Sequence, residues 1–188
     1  VKQLKPLRFT HLKKQKKTKI VVISPKNAFQ SWDNEIKECF KDHEPFYRLK
    51  TSNHYDLKQI FKSNPNLLIN YERLHSIRDV LVSYLSEDEN KDICLILDES
   101  HRMKAGMAGQ WGRNVLSINH LPNFKVILTG TPCPNSIQDL IPQFEFLFPV
   151  LKPSDHNIEE LISPYYVRTK KSDLGLPPMH IKHVPIDM

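Results

Sequence analysis

The sequence predicts an α/β fold, a doubly wound and mostly parallel sheet with helices on both faces. Three observations lead there. Four short β-branched runs are separated by helix-length segments, none of the runs alternates apolar with polar residues, and each run ends in polar residues. Alternating strand and helix signals imply βαβ units. Runs without alternation are what strands covered on both faces look like.

The first run is Lys19-Ile20-Val21-Val22-Ile23-Ser24, ended by Pro25. From Ala28 to Phe40, the residues Phe29, Trp32, Ile36 and Phe40 recur at three- and four-residue steps, which is one helical face. Trp32 on that face reads as a core residue rather than a base-stacking platform. Asn66-Leu67-Leu68-Ile69-Asn70 is the second run, and a helix follows over Ile77 to Leu85 with Val80, Leu81 and Tyr84. Ile93-Cys94-Leu95-Ile96-Leu97 is the third run. Val115, Ile118 and Leu121 mark the next helix. Lys125-Val126-Ile127-Leu128-Thr129 is the fourth run, and Ile137 to Phe148 the last long helix. Ala105 to Arg113, richer in glycine, reads as a mobile surface loop. Residues 164–188 are Pro-rich and basic, with a final strand expected at His180–Ile186. The expected division is therefore a basic N-terminal segment 1–18, a lobe 19–163 and an exit segment 164–188.

A length of 188 residues predicts one domain with at most a small appendage. Hydrophobic residues at 39% and charged residues at 26% describe a soluble globule. The net charge of +6 favours a polyanionic partner. Part of it is the cluster Lys13-Lys14-Gln15-Lys16-Lys17-Thr18-Lys19, which reads equally as a solvated segment or a nucleic-acid contact. Cys39, Cys94 and Cys133 are odd in number, far apart and without a CxxC pair, the pattern of reduced thiols in an intracellular protein. No apolar run approaches the roughly 18 residues of a membrane span, so no membrane partner is expected. Glycine is scarce, 5 residues in all: Gly106, Gly109, Gly112, Gly130 and Gly175. No pair of them makes GxxxxGK[ST] or GxGxxG, which excludes a self-sufficient P-loop enzyme or dinucleotide dehydrogenase.

In an open parallel sheet the binding crevice lies off the carboxyl ends of the strands. Those ends are Ser24-Pro25-Lys26, Asn70-Tyr71-Glu72, Asp98-Glu99-Ser100-His101 and Thr129-Gly130-Thr131. An acidic pair straight after a strand reads either as a helix N-cap or as a metal-and-water site for phosphoryl transfer. In the second case Asp98 holds a hydrated Mg²⁺ and Glu99 orients or deprotonates the attacking water. The turn at Leu128 to Pro132 reads as an ST-turn, or as a source of hydroxyls for the carboxylate pair or a phosphate. Both features together, about thirty residues apart with a helix between, form a stronger joint signal than either alone.

Asp98-Glu99-Ser100-His101-Arg102-Met103-Lys104 resembles the DEAH-type motif II of superfamily 2 helicases, in the version carried by Snf2-type translocases. Leu128 to Asn135 (LTGTPCPN) resembles their motif III, and Ile20 to Trp32 (IVVISPKNAFQSW) their motif Ia. Leu67 to Leu74 (LLINYERL) is similar to the segment leading into a Thr-Tyr-Glu turn, with Asn70 where threonine is usual. Asp139 to Pro149 and Val167 to Pro178 are similar to the helix and basic tail after motif III. The resemblance runs from about residue 19 to the end.

The resemblance implies a RecA-like first lobe of an ATP-driven double-stranded-DNA translocase, with ATP and Mg²⁺ as cofactors. Its partners would be duplex DNA and a second RecA-like lobe of the same polypeptide. By position, Asp98 and Glu99 take the Mg²⁺ and water-activating roles. His101, Thr129, Gly130 and Thr131 couple the nucleotide site to DNA and the other lobe. Lys26, Asn27, Asn70, Tyr71, Arg102 and Lys104 fall on segments expected to touch the DNA backbone, with Arg113 a further candidate. For Lys26 alone, a solvated turn lysine explains the residue as well. Two departures stand out. Motif I, the glycine-rich loop with its lysine, is absent upstream of the Ile20 run. Gln3-Leu4-Lys5-Pro6 resembles the start of the adenine-reading motif, but Leu7-Arg8 stands where Tyr-Gln is expected. The expectation is a stretch missing between about Leu7 and Phe9, and a lobe inactive by itself. The competing reading is a non-catalytic nucleic-acid-binding or scaffolding module. The compartment would be cytoplasm or nucleoid in a prokaryote and nucleus in a eukaryote.

Overall fold

The computed structural model describes residues 19–39, 44–87, 90 and 92–168. Five parallel strands form one sheet in the order β2-β3-β1-β4-β5. They are β1 (Ile20–Ser24), β2 (Tyr47–Arg48), β3 (Asn66–Asn70), β4 (Cys94–Asp98) and β5 (Phe124–Leu128). The central strand β1 is paired on both sides, Ile23 lying opposite Ile69 of β3 and Leu97 of β4. The four strands read from the sequence are present with ends shifted by about one residue. The expected strand at 180–186 lies outside the described residues.

Residue alternation sorts each strand between two covers. Val21, Ile23, Leu67, Ile69, Leu95 and Leu97 point into the larger cluster, built with α2 (His54–Ser63), α3 (Leu74–Ser86), α4 (Gln110–Leu116) and α5 (Leu140–Leu147). Val22, Leu68, Cys94 and Ile96 point the other way, onto Phe29 and Ile36 of α1 (Phe29–Cys39). Each fully buried aliphatic side chain contributes on the order of 1.5–3 kcal/mol. A short α6 (Ile158–Ile162) packs Ile158 and Ile162 against Leu140 and Phe144.

Three readings need correction. The run at 125–129 was expected to be buried on both faces, yet Phe124, Val126 and Leu128 remain 39%, 36% and 38% exposed. They pair with Cys94, Ile96 and Asp98 on the side of α1, and β5 is the sheet edge among the described residues. Helix α1 covers the middle of the sheet and does not reach them. The segment expected as a mobile surface loop at 105–113 does lie at the surface, but it is folded, a 3-10 turn at Gly106–Ala108 leading into α4. A Cβ on Gly112 would lie 2.2 Å from the Gly106 carbonyl oxygen, so only glycine lets the two backbones touch. Helix α2 went unread because it buries only Leu57 and Phe61 in ten residues. It is started by Asn53, whose side-chain oxygen accepts from the Tyr55 amide at 2.9 Å.

Candidate active site at the strand ends

Because all strands are parallel, β1, β3, β4 and β5 deliver their polar ends to one edge. Asp98 closes β4. It follows Cys94 and Ile96 in the period-two pattern, so its side chain leans toward α1. There its Oδ2 accepts a hydrogen bond from Trp32 Nε1 at 2.9 Å. Its Oδ1 accepts from the Glu99 amide at 3.0 Å. Its main-chain carbonyl accepts from the Tyr71 hydroxyl at 2.8 Å. Three bonds thus fix this residue while each carboxylate oxygen keeps a lone pair free.

Glu99 comes next with φ 50° and ψ 48°, alone among the described non-glycine residues in having positive φ. A side chain in that region costs about 1 kcal/mol or more, and such strain gathers at functional sites. The turn aims the Glu99 carboxylate outward, 43% exposed, with Oε2 3.2 Å from His101 Nδ1. That same nitrogen lies 2.9 Å from Thr129 Oγ1 and 3.3 Å from Thr131 Oγ1. The Thr131 amide also donates to Thr129 Oγ1 at 3.1 Å. His101 therefore joins the end of β4 to the end of β5. Gly130, between the threonines, has open space where a Cβ would stand and no positive φ. The turn as built does not demand glycine.

The remaining candidates divide. Lys26 and Asn27 are exposed on the turn after β1, and Lys104 is exposed beyond the turn that follows Glu99. Asn70 donates to Glu72 Oε2 at 3.0 Å. Arg102 lies 3.7 Å from Glu72 and over the Trp111 ring at 5.1 Å, so its charge is already engaged. Arg113 donates to the Met107 carbonyl at 3.2 Å. Tyr71 is fully buried, packed 6.0 Å from the Trp111 ring. Burial first, and then the Asp98 charge, push its hydroxyl pKa well up, with Arg102 opposing. Its side chain is turned inward and offers no surface to a ligand.

Two hydrogen-bonding roles, those of Trp32 and Gln143, are not announced by the sequence. Trp32 packs edge-on against Phe46 at 6.1 Å, as a core residue should, yet its indole N–H is the partner of Asp98. Gln143 is fully buried, accepting from Ser100 Oγ at 2.7 Å and donating to the carbonyls of Pro132 and Asp139 at 2.8 Å each. A polar residue one position out of the apolar stripe of the last long helix was the available signal.

Among the described residues no group of three or more His, Cys, Asp or Glu could hold a metal by itself. One carboxylate with free lone pairs beside a second, exposed carboxylate suits Mg²⁺, which keeps several waters and relies on substrate phosphates for other ligands. The residues present fit the metal-and-water half of such a site. A glycine-rich cradle for the phosphates is not in the sequence. A cavity of about 640 Å³ lies next to the site, lined by Gly130, Thr131, Pro132, Leu140, Ile162 and Tyr166. Asp98 and Glu99 do not line it; the carboxylates sit on an open edge. No helix among the described residues is long and apolar enough to cross a membrane. All three cysteines are unpaired.

The SNF2-related domain model matches residues 2–174. The chain is 27% identical over 148 residues to the chromatin-remodeling ATPase INO80 of Saccharomyces cerevisiae, covering 76% of this chain and 10% of that protein. It is 24% identical over 140 residues to the ATP-dependent helicase fft2 of Schizosaccharomyces pombe, covering 72% and 10%. It is 28% identical over 130 residues to the DNA annealing helicase and endonuclease ZRANB3 of Bos taurus, covering 69% and 12%. The chain spans about a tenth of the length of these relatives. With its parallel RecA-like sheet and the acidic pair at the end of β4, the chain belongs to the SNF2-related family.

Proposed function

We propose that this chain is the first lobe of an ATP-dependent, double-stranded-DNA translocase or remodeller, acting with a second lobe of the same polypeptide. The observation that carries the reading is the Asp98-Glu99 pair at a strand end, with Glu99 held in a strained backbone and joined through His101 to Thr129. A helix N-cap needs none of that. The relatives are named as ATPases and helicases, two for chromatin or DNA, which supports DNA as partner and the nucleus as compartment.

In this reading bound Mg²⁺-ATP supplies the phosphoryl group and the cation that neutralises its charge. Asp98, held still by Trp32 and the Glu99 amide, would hold the hydrated cation. Glu99 orients the attacking water and takes its proton. His101, Thr129 and Thr131, with Gly130 between them, carry the state of that site to the second lobe. Lys26, Asn27, Asn70 and Lys104 meet DNA phosphates, a positional contact without base readout. Arg102 joins them on leaving Glu72. This lobe by itself turns over ATP poorly, since a glycine-rich phosphate cradle is not in the sequence.

The rival is a nucleic-acid-binding module without catalysis, favoured by the missing glycine-rich loop. ATPase assays on the full-length protein with and without duplex DNA separate the two. DNA-stimulated turnover that disappears in Glu99→Gln supports the enzyme. Salt-sensitive DNA binding without turnover supports the module.

A further inference from the structure

Asp98 is gripped from opposite sides by the two segments proposed to face DNA. From the α1 side comes Trp32, six residues after Lys26 and rigidly connected to it, because the Lys26–Ala28 turn runs straight into α1. Its indole N–H holds the carboxylate at 2.9 Å. From the other side comes Tyr71, the residue after Asn70, whose hydroxyl holds the Asp98 carbonyl at 2.8 Å. Strands β3 and β4 are not neighbours; β1 lies between them. They are therefore separated by roughly 9.6 Å, two strand spacings. Tyr71 reaches across the end of β1, where the chain turns away at Pro25, and its ring fills the gap against Trp111. Only a long, rigid side chain with a terminal donor makes that span. Neither bond is needed to fill the core: phenylalanine fills the place of Tyr71 almost as well.

We propose that Trp32 and Tyr71 are positioning residues that transmit contact of the two turns with duplex DNA to Asp98. Each connection is one direct hydrogen bond between packed elements, so a shift of either turn on meeting phosphate displaces Asp98 or stiffens it. Binding at the turns and the geometry of the carboxylate then become linked, and linkage acts in both directions. This rests on the reading above that Asp98 receives the cation and that the turns after β1 and β3 meet DNA.

The test uses the indole N–H resonances of Trp32 and Trp111 in ¹⁵N-labelled protein, assigned with Trp111→Phe, during titration with a duplex of about 20 base pairs and no nucleotide. The expected result is a DNA-induced shift of the Trp32 resonance that falls at least twofold in Tyr71→Phe, with DNA affinity changed less than twofold. A Trp32 resonance that ignores bound DNA overturns the relay and leaves the DNA reading standing. Loss of DNA affinity in Tyr71→Phe in step with the shift makes the tyrosine a binding residue and also overturns it. No DNA binding by the wild type removes the functional reading and the relay together. If Tyr71→Phe fails to fold, deuterium uptake at the Glu99 amide replaces the readout. DNA slows that uptake in the wild type and not in Trp32→Phe; equal slowing in both overturns the proposal.

Discussion

Ser100 Oγ donates to Gln143 Oε1 at 2.7 Å, and both side chains are fully buried. The Gln143 amide in turn holds the carbonyls of Pro132 and Asp139. One glutamine from α5 thus fastens the turn after β4 to the turn after β5, beneath the surface link of His101 to Thr129. Asp139 closes the network outward, its carboxylate accepting from the Asn135 amide at 2.8 Å in a capping box with Ser136.

Replacing Gln143 by leucine leaves the buried Ser100 hydroxyl, the buried Asp139 carbonyl and the half-buried Pro132 carbonyl without this partner. The expected loss is about 2–4 kcal/mol of stability by urea denaturation. A change below about 0.5 kcal/mol would show that the network is dispensable.

The left-handed backbone of Glu99 predicts an inversion between two truncations. At ordinary positions glycine is less stable than alanine by about 0.5–1 kcal/mol. At Glu99 the order should reverse, with Glu99→Gly more stable than Glu99→Ala by about 1 kcal/mol. Thermal melting of the two variants decides it, and in the full-length protein both should lack the proposed DNA-stimulated turnover.

Burial raises the Cys94 thiol from its usual 9.0 to about 11. The folded chain then keeps a proton that the unfolded chain releases from pH 9 upward. This contribution is fully present below pH 9 and is lost as pH climbs to about 11, on the order of 3 kcal/mol in all. Denaturation at a series of pH values should show the decline, and Cys94→Ala should flatten that limb while costing packing at neutral pH.

The open side of β5 makes its apolar residues tolerant. Val126→Lys should change stability by less than about 1 kcal/mol, whereas Val22→Lys, at a fully buried position one strand inward from β4, should prevent folding.

For DNA, the proposed contacts are electrostatic. Lys26→Ala and Lys104→Ala should each reduce the slope of log affinity against log salt by about 1, uniformly across duplex sequences. An unchanged slope would remove that lysine from the DNA path.

Much of this was legible beforehand because parallel strands covered on both sides must be written as unbroken apolar runs. Those around Val22, Leu68 and Ile96 announce themselves. The strand β2 did not, since two residues, Tyr47 and Arg48, carry no period; only pairing with Leu67 and Leu68 makes them a strand. Helix α2 hid for a related reason, a face of just Leu57 and Phe61. At the site, Asp98, Glu99, His101 and Thr129 were readable as residues with chemistry at strand ends.

The sequence by itself determined the order of the four longer strands, their place in a parallel sheet and the edge on which the polar residues gather, because unbroken apolar runs and the polar residues that end them are local properties written along the chain. Tertiary structure alone decided which groups touch: that Trp32 and Tyr71 both end on Asp98, that Gln143 lies under both turns, and that β5 keeps one face open. These depend on strand order and on how far each helix extends over the sheet. Such relations join residues 27 to 66 positions apart, which no local pattern encodes.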